Sequence, residues 1–97
     1  MHYSSHNSNW STVLHLFNEH DKLQRYLTSN YFDLEEQFVD QKALLKVSKP
    51  WSRSEKFVLK LALHLYGGTV KIDLNDIDYL DANNKKLVFE AFCIRFK

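Results

Sequence analysis

Residues 50–68 read PWSRSEKFVLKLALHLYGG and carry the clearest structural signal in the chain. Ser52 with Glu55 three residues later forms a capping box, in which each side chain bonds to the backbone N–H of the other residue. Apolar residues then recur three and four positions apart, which is the spacing of one helix face; they are Phe57, Val58, Leu61, Ala62 and Leu65. The glycine pair that follows favours a left-handed C-cap. This pattern predicts a helix over residues 53–66.

A second helix is predicted over residues 82–95. Asp81 belongs to the residue types that favour the N-cap position, and apolar residues follow at helical spacing: Leu87, Val88, Ala91 and Phe92. Between the two helices, Val70, Ile72 and Leu74 alternate with polar residues, which is typical of an extended segment. The sequence therefore predicts a short extended connector around residues 69–75, with the two flanking helices forming the core.

The first half of the chain predicts shorter elements. Residues 1–9 are polar and predict a flexible lead-in. A helix is expected to begin at Ser11 or Thr12, and a second apolar pattern follows Asp21 as a candidate N-cap. Whether residues 11–29 form one helix or two stays open.

A further helix is predicted to begin at Asp33 and to end before Pro50. Glu35 and Glu36 would lie in its first turn, where the helix dipole favours carboxylates. The residue before a proline is disfavoured in the α region, so the element has to end near Val47.

The composition bounds the fold class. A chain of 97 residues supports one domain, and only 2 Gly and 1 Pro argue against a turn-rich all-β protein. We therefore predict an all-α or mostly α fold, a compact bundle of four to five helices, with residues 10–97 as a single helical domain.

The compartment follows from the cysteine count and from hydropathy. One cysteine cannot form an intramolecular disulfide, which favours a reducing environment. No apolar run approaches the ~18 residues of a membrane span, because Lys60 and His64 interrupt the longest one. The sequence predicts a cytoplasmic protein without a membrane partner.

Four carboxylates crowd the connector: Asp73, Asp76, Asp78 and Asp81. A calcium loop requires glycine at its sixth position, but counting from Asp73 or from Asp76 places an aspartate there. Asp also favours caps and turns. Three interpretations stay open, namely a magnesium site made of two carboxylates, helix caps and turns, or an acidic patch that meets a basic partner.

The histidines do not predict a metal site. His2 and His6 have helical spacing but lie in the predicted lead-in, and His15 and His20 are five residues apart, which places them on different sides of a helix. No cluster of Cys and His has zinc spacing. No metal and no cofactor is predicted.

Catalysis has no positive sequence signal. Cys93 lies among Phe92, Ile94 and Phe96, which predicts a buried thiol that behaves as a small hydrophobe. The glycine pair lacks the Lys-Ser/Thr that follows a phosphate loop. We predict that the chain is not an enzyme. A small enzyme ranks third among the functional interpretations, after the two that follow.

Aromatic residues favour a protein-binding module as the leading interpretation. Trp and Tyr are enriched at binding hot spots, and the chain has 14 aromatics, more than a small helical core is expected to hide. The candidate partner-binding residues are Trp10, Tyr26, Tyr31 and Trp51, together with the acidic connector. The partner is expected to be another protein, which includes a second copy of the chain.

The alternative interpretation is a nucleic-acid-binding transcriptional regulator that uses Lys85, Lys86 and Arg95. These residues belong to the last helix, whose start offers the polar side chains that read base edges. However, the segment between the last two helices is longer than a helix-turn-helix turn. The net charge of +1 also lacks the basic excess of such proteins.

Residues 50–96 resemble short uncharacterised proteins of Gram-positive bacteria, their phages and mobile elements. The resemblance rests on a Leu-Ala-x-x-Leu-Tyr run, an Ile-Asp-Leu connector and a Leu-Asp-x-x-Asn start of the last helix, which ends in Ile-Arg. It implies a helical fold and a bacterial or phage setting. An inhibitor of a host or defence protein is one function consistent with that setting.

Overall fold

The computed structural model describes the backbone of residues 4–97 and the side chains of residues 8–97. Within these residues the chain is mostly helical, which confirms the predicted fold class. The helices are α1 (Ser4–Glu19), α2 (Asp21–Gln24), α3 (Gln41–Val47), α4 (Arg53–Gly67) and α5 (Ala82–Arg95). Strands β1 (Phe32–Asp33) and β2 (Phe38–Val39) form a small antiparallel hairpin, and a 3-10 helix covers Leu74–Tyr79.

Helix α1 is the central element of the bundle, because it packs against both α4 and α5. It contributes four buried apolar side chains, those of Trp10, Val13, Leu16 and Phe17. Helix α4 is buried on several sides, whereas α5 buries only Val88 and Ala91. The expectation that α4 and α5 form the core is therefore corrected, since α1 and α4 supply most of it and α5 supplies two buried residues.

The start of α1 also differs from its prediction. The helix begins at Ser4, not at Ser11 or Thr12, so residues 4–9 of the predicted lead-in belong to α1. Residues 1–3, which include His2, lie outside the described residues, as does the side chain of His6.

The capping box predicted for α4 is confirmed in both directions. The backbone N–H of Glu55 donates to Ser52 Oγ at 3.2 Å, and the N–H of Ser52 donates to Glu55 Oε1 at 3.0 Å. That backbone hydrogen bond from Ser52 lowers the pKa of the Glu55 carboxyl. Gly68 ends the helix with φ of 74°, and its N–H donates to the carbonyl of His64 at 2.8 Å.

Residues 11–29 contain the end of one helix and a short second one. His20, not Asp21, caps α2, and its Nδ1 accepts the backbone N–H groups of Lys22 and Leu23. Asp21 is the first residue of that helix.

The helix predicted from Asp33 is wrong for residues 33–40. Asp33 Oδ1 accepts the N–H groups of Glu35 and Glu36 at 3.1 and 3.0 Å, which closes a turn instead of starting a helix. Gln37 then adopts a positive φ of 54°, a conformation that no α-helix contains. Helix α3 starts only after Asp40, whose Oδ1 accepts the N–H of Ala43, and it ends at Val47 as predicted.

The connector forms no strand before the 3-10 helix. Asp73 is extended and caps the 3-10 helix through the N–H of Asn75, so the predicted extended segment ends before Leu74. The predicted start of α5 is confirmed, since Asp81 Oδ1 accepts the N–H of Asn84 at 2.8 Å.

Candidate protein-binding face

An open groove of about 840 Å³ lies beside the outer edge of α1. Helix α1 forms one wall of the groove, and the other wall is formed by the segment after α2 and by β1 with the turn that follows it. The apolar residues that line it are Leu14, Leu27, Phe32 and Leu34. Polar residues surround them, among them His15 and Asn18 of α1 and Asp33 and Glu35 of the hairpin. An apolar floor with a few polar groups at its edge is the usual composition of a binding groove.

The hairpin has this position because Phe32 is anchored in the core. Its ring lies edge-on to Phe17, with centroids 4.8 Å apart, and 6.1 Å from the ring of Trp10. The turn at Asp33 then directs the chain outward. Leu34 consequently remains 64% exposed at the edge of the groove.

A second apolar recess, of about 480 Å³, lies on the other side of His15. Phe89, Cys93 and Ile94 of α5 line it, with Lys86 and Glu90 at its border. His15 Nε2 lies 3.2 Å from Glu90 Oε1, and this contact joins α1 to α5 between the two depressions. We call the groove and the recess together the His15 face.

Apolar side chains also lie on the exposed side of the second half of α5 and at the residue that follows the helix. Phe89 and Phe96 are 54% and 65% exposed. The ring of Phe92 lies between them, with centroid separations of 6.3 and 6.4 Å. Surface helices usually present a polar outer side, so these exposed phenylalanines mark an apolar patch at the end of α5.

The prediction that Cys93 is buried is wrong. Its side chain is exposed, because it lies two positions beyond the buried Ala91, or about 200° around the helix. Of its apolar neighbours in sequence, Phe92 packs partly against the core, Ile94 is half-buried and Phe96 is exposed.

The predicted aromatic face is also corrected. Trp10 and Trp51 are each only 8% exposed, and Tyr26 and Tyr31 are partly buried against the core. Tyr26 packs against Trp51 and Tyr31, with centroids 5.0 and 5.7 Å apart. The large exposed hydrophobic residues are different ones: Leu34, Phe38, Leu74, Tyr79, Phe89 and Phe96.

The acidic connector is mostly used within the fold. Asp73 and Asp81 are N-caps, and Asp76 Oδ1 accepts a hydrogen bond from Arg53 Nη2 at 3.3 Å. Asp78 is exposed. The interpretation as caps and turns thus holds for two of the four carboxylates, and a third one forms an ion pair.

The alternative nucleic-acid residues do not form one surface for contacts to bases. Arg95 Nε donates to the carbonyl of Leu65 at 3.2 Å, which ties the end of α5 to α4. Its guanidinium lies 4.9 Å from the ring centre of Phe96. Lys86 is exposed and borders the His15 face, while Lys85 is half-buried.

His20 lies where the N-termini of α2, α4 and α5 meet, in a polar cleft of about 530 Å³. The residue is only 7% exposed. Because Nδ1 accepts hydrogen bonds from Lys22 and Leu23 at 3.2 and 3.4 Å, the proton of the neutral ring lies on Nε2. Burial lowers the pKa of His20, against the opposing effect of the carboxylates of Glu55, Asp21 and Asp81 and of a hydrogen bond to Asn84.

We predict that protonation of His20 destabilises the protein. Its pKa is lower in the folded chain than the ordinary value of 6.5, so the unfolded chain binds more protons and stability falls as pH drops below about 6.5. Protonation also removes the Nδ1 acceptor of the cap. Asn keeps an N-cap acceptor without titrating.

The measurement is urea denaturation of the wild type and of His20→Asn between pH 7.5 and pH 5. The wild type is expected to lose stability relative to His20→Asn as pH falls. A stability difference that does not change over this range would contradict the role of His20.

The described part of the chain offers no grouping of three or more His, Cys, Asp or Glu side chains that could hold a metal ion. His64, for example, is engaged by the backbone, since its Nδ1 donates to the carbonyl of Val70 at 2.7 Å. Across residues 4–97, no helix combines the length and the apolar character that a bilayer crossing requires.

Comparisons of the sequence with protein-family models and curated proteins, and of the fold with solved structures, gave no match.

Proposed function

We propose that this chain is a small non-enzymatic protein-binding module that acts through the His15 face. The observation that carries the proposal is the arrangement of two apolar depressions on either side of one residue, His15, with Leu34 and Phe89 exposed beside them. Contiguous exposed apolar surface with a polar border is typical of protein interaction sites.

The composition of the face supports a protein partner. Interface centres are rich in aromatic and aliphatic side chains, and interface borders are polar. Here Phe89 and Leu34 supply apolar anchors, while Asp33, Glu35 and Lys86 supply charges at the border. Helix α1 lines both halves of the face, and it packs against α5, which lines the recess.

An accessory or regulatory role follows from this proposal, because such a module acts by occupying the surface of its partner. The resemblance of residues 50–96 to short proteins of phages and mobile elements favours one version, an inhibitor of a host or defence protein.

The single cysteine of the chain allows a direct test. Cys93 lies in the His15 face and is exposed, so a photo-crosslinker attached to its thiol reports on whatever protein covers that face. In an extract of the source cells we expect one protein adduct that disappears when unlabelled wild-type chain is added in excess.

The matched control carries the same crosslinker at Lys42→Cys in a Cys93→Ser background. Lys42 is exposed on α3, a helix that does not line the His15 face. We expect no competable adduct from this position. No competable adduct at Cys93, or the same adduct from both positions, would contradict the proposal.

A further inference from the structure

A second groove, of about 460 Å³, lies between α4 and the connector. Four cationic side chains line it, those of Arg53, Lys56, Lys60 and Lys71. Its apolar surface comes from Phe57 and Ile72, and its only carboxylates among the described lining residues are those of Asp73 and Asp76. The groove thus carries two more cationic than anionic groups.

Internal contacts already engage both carboxylates. Asp76 pairs with Arg53 at 3.3 Å, and Asp73 accepts the backbone N–H of Asn75 at 2.9 Å. The ion pairs that the described side chains form involve His15, Lys22 and Arg53. The three lysines of the groove therefore have no carboxylate within 4.0 Å among the described residues, and their charges face the groove without a fixed counterion.

The placement of the lysines suits an extended anion. Lys56 and Lys60 lie one turn apart on α4, so their Cβ atoms are about 5–6 Å from each other. Lys71 approaches from the connector on the opposite wall. A row of cations along a groove follows the backbone of a nucleic acid strand.

An aromatic ring adjoins this cationic groove. The guanidinium of Arg53 lies over one face of the Tyr79 ring, 3.9 Å from its centre, and Tyr79 is still 64% exposed, so the opposite face of the ring is open to solvent. An exposed aromatic ring beside a cationic groove is the arrangement on which unpaired bases stack. A base in a duplex does not offer its face in this way.

We propose that this groove is a binding site for single-stranded nucleic acid, with Lys56, Lys60 and Lys71 on the phosphates and Tyr79 stacked on a base. Recognition is independent of sequence, because every base has a face that stacks. This site differs from the one considered in the sequence analysis, which uses Lys85, Lys86 and Arg95. It is also independent of the His15 face, with which it shares no residue.

The test is fluorescence anisotropy with a labelled oligothymidylate of about 12 nucleotides, titrated at several salt concentrations. We expect binding at low salt that weakens as salt rises. Lys56→Gln/Lys60→Gln/Lys71→Gln is expected to reduce the slope of log K against log salt by about 2, because each phosphate contact on a single strand contributes about 0.7. Tyr79→Ala is expected to weaken binding roughly 5- to 150-fold, the range for one stacked base.

The control is Lys42→Gln/Lys46→Gln/Lys49→Gln, which removes the same charge from exposed positions on and after α3. It should retain most of the affinity and the wild-type slope. Three outcomes would overturn the proposal: no binding by the wild type at low salt, equal losses in the two triple variants, or duplex DNA bound as tightly as the single strand with no effect of Tyr79→Ala. Circular dichroism spectra identical to the wild type show that each variant is folded.

Discussion

Phe17→Ala is expected to lower the free energy of unfolding by about 3–5 kcal/mol, the range for a phenylalanine removed from a packed core. Phe17 is fully buried in α1, the helix that α4 and α5 both contact. Its ring also contacts Phe32, which holds the hairpin against the bundle. Since small domains are stable by only about 5–15 kcal/mol, this variant is expected to be marginally folded.

Urea denaturation followed by circular dichroism measures the effect, and Phe96→Ala is the matched control. The chemical change is identical, but Phe96 is 65% exposed at the end of α5, so a change within about 0.5 kcal/mol is expected. Similar losses in both variants would contradict the central position of α1.

The elements predicted correctly are those whose signals are local. Ser52 and Glu55 specify the start of α4 by bonding to each other's backbone, and Gly68 specifies its end through a left-handed conformation. Asp81 specifies the start of α5 in the same way. Such signals need no partner from elsewhere in the chain, so the sequence alone reveals them.

The hairpin could not be predicted because its local signals also fit a helix. An aspartate followed by two glutamates is a good first turn, and the same Asp33 side chain can instead close a turn with the N–H groups of residues 35 and 36. Tertiary packing decides between the two outcomes. Phe32 and Val39, which face each other across the hairpin, are both buried in the core.

The His15 face depends on contacts between distant residues, so the sequence could not place it. It brings residues 14–35 together with residues 86–94. One signal was present, since Phe89, Cys93 and Phe96 add apolar side chains beside the buried stripe of α5. The tryptophans, in contrast, were misleading, because a large aromatic residue is more often in the core than on a binding surface.

The two proposed binding surfaces of this chain therefore differ in their chemistry. The His15 face is apolar with a mixed charged border, and the groove along α4 is cationic with an aromatic ring beside it. The first suits a protein partner and the second a nucleic acid strand. Variants in one surface leave the residues of the other unchanged, so the two proposals can be tested separately.

The dissociation constant of the crosslinked partner for Leu34→Ser/Phe89→Ser tests the His15 face most directly. Both side chains are exposed and on opposite sides of His15, so their replacement is expected to leave the fold intact. If each of the two side chains contributes at least about 1.4 kcal/mol to the binding free energy, as hot-spot residues do, their joint removal raises Kd by about 100-fold or more.

Leu74→Ser/Tyr79→Ser is the matched control, because these two residues are similarly exposed to Leu34 and Phe89 but belong to the 3-10 helix. Isothermal titration calorimetry with the purified partner gives Kd for all three proteins. We predict a loss of about 100-fold or more for Leu34→Ser/Phe89→Ser and a change of less than about threefold for the control. An unchanged Kd for Leu34→Ser/Phe89→Ser, with a large loss in the control, would contradict the assignment of the His15 face as the binding surface.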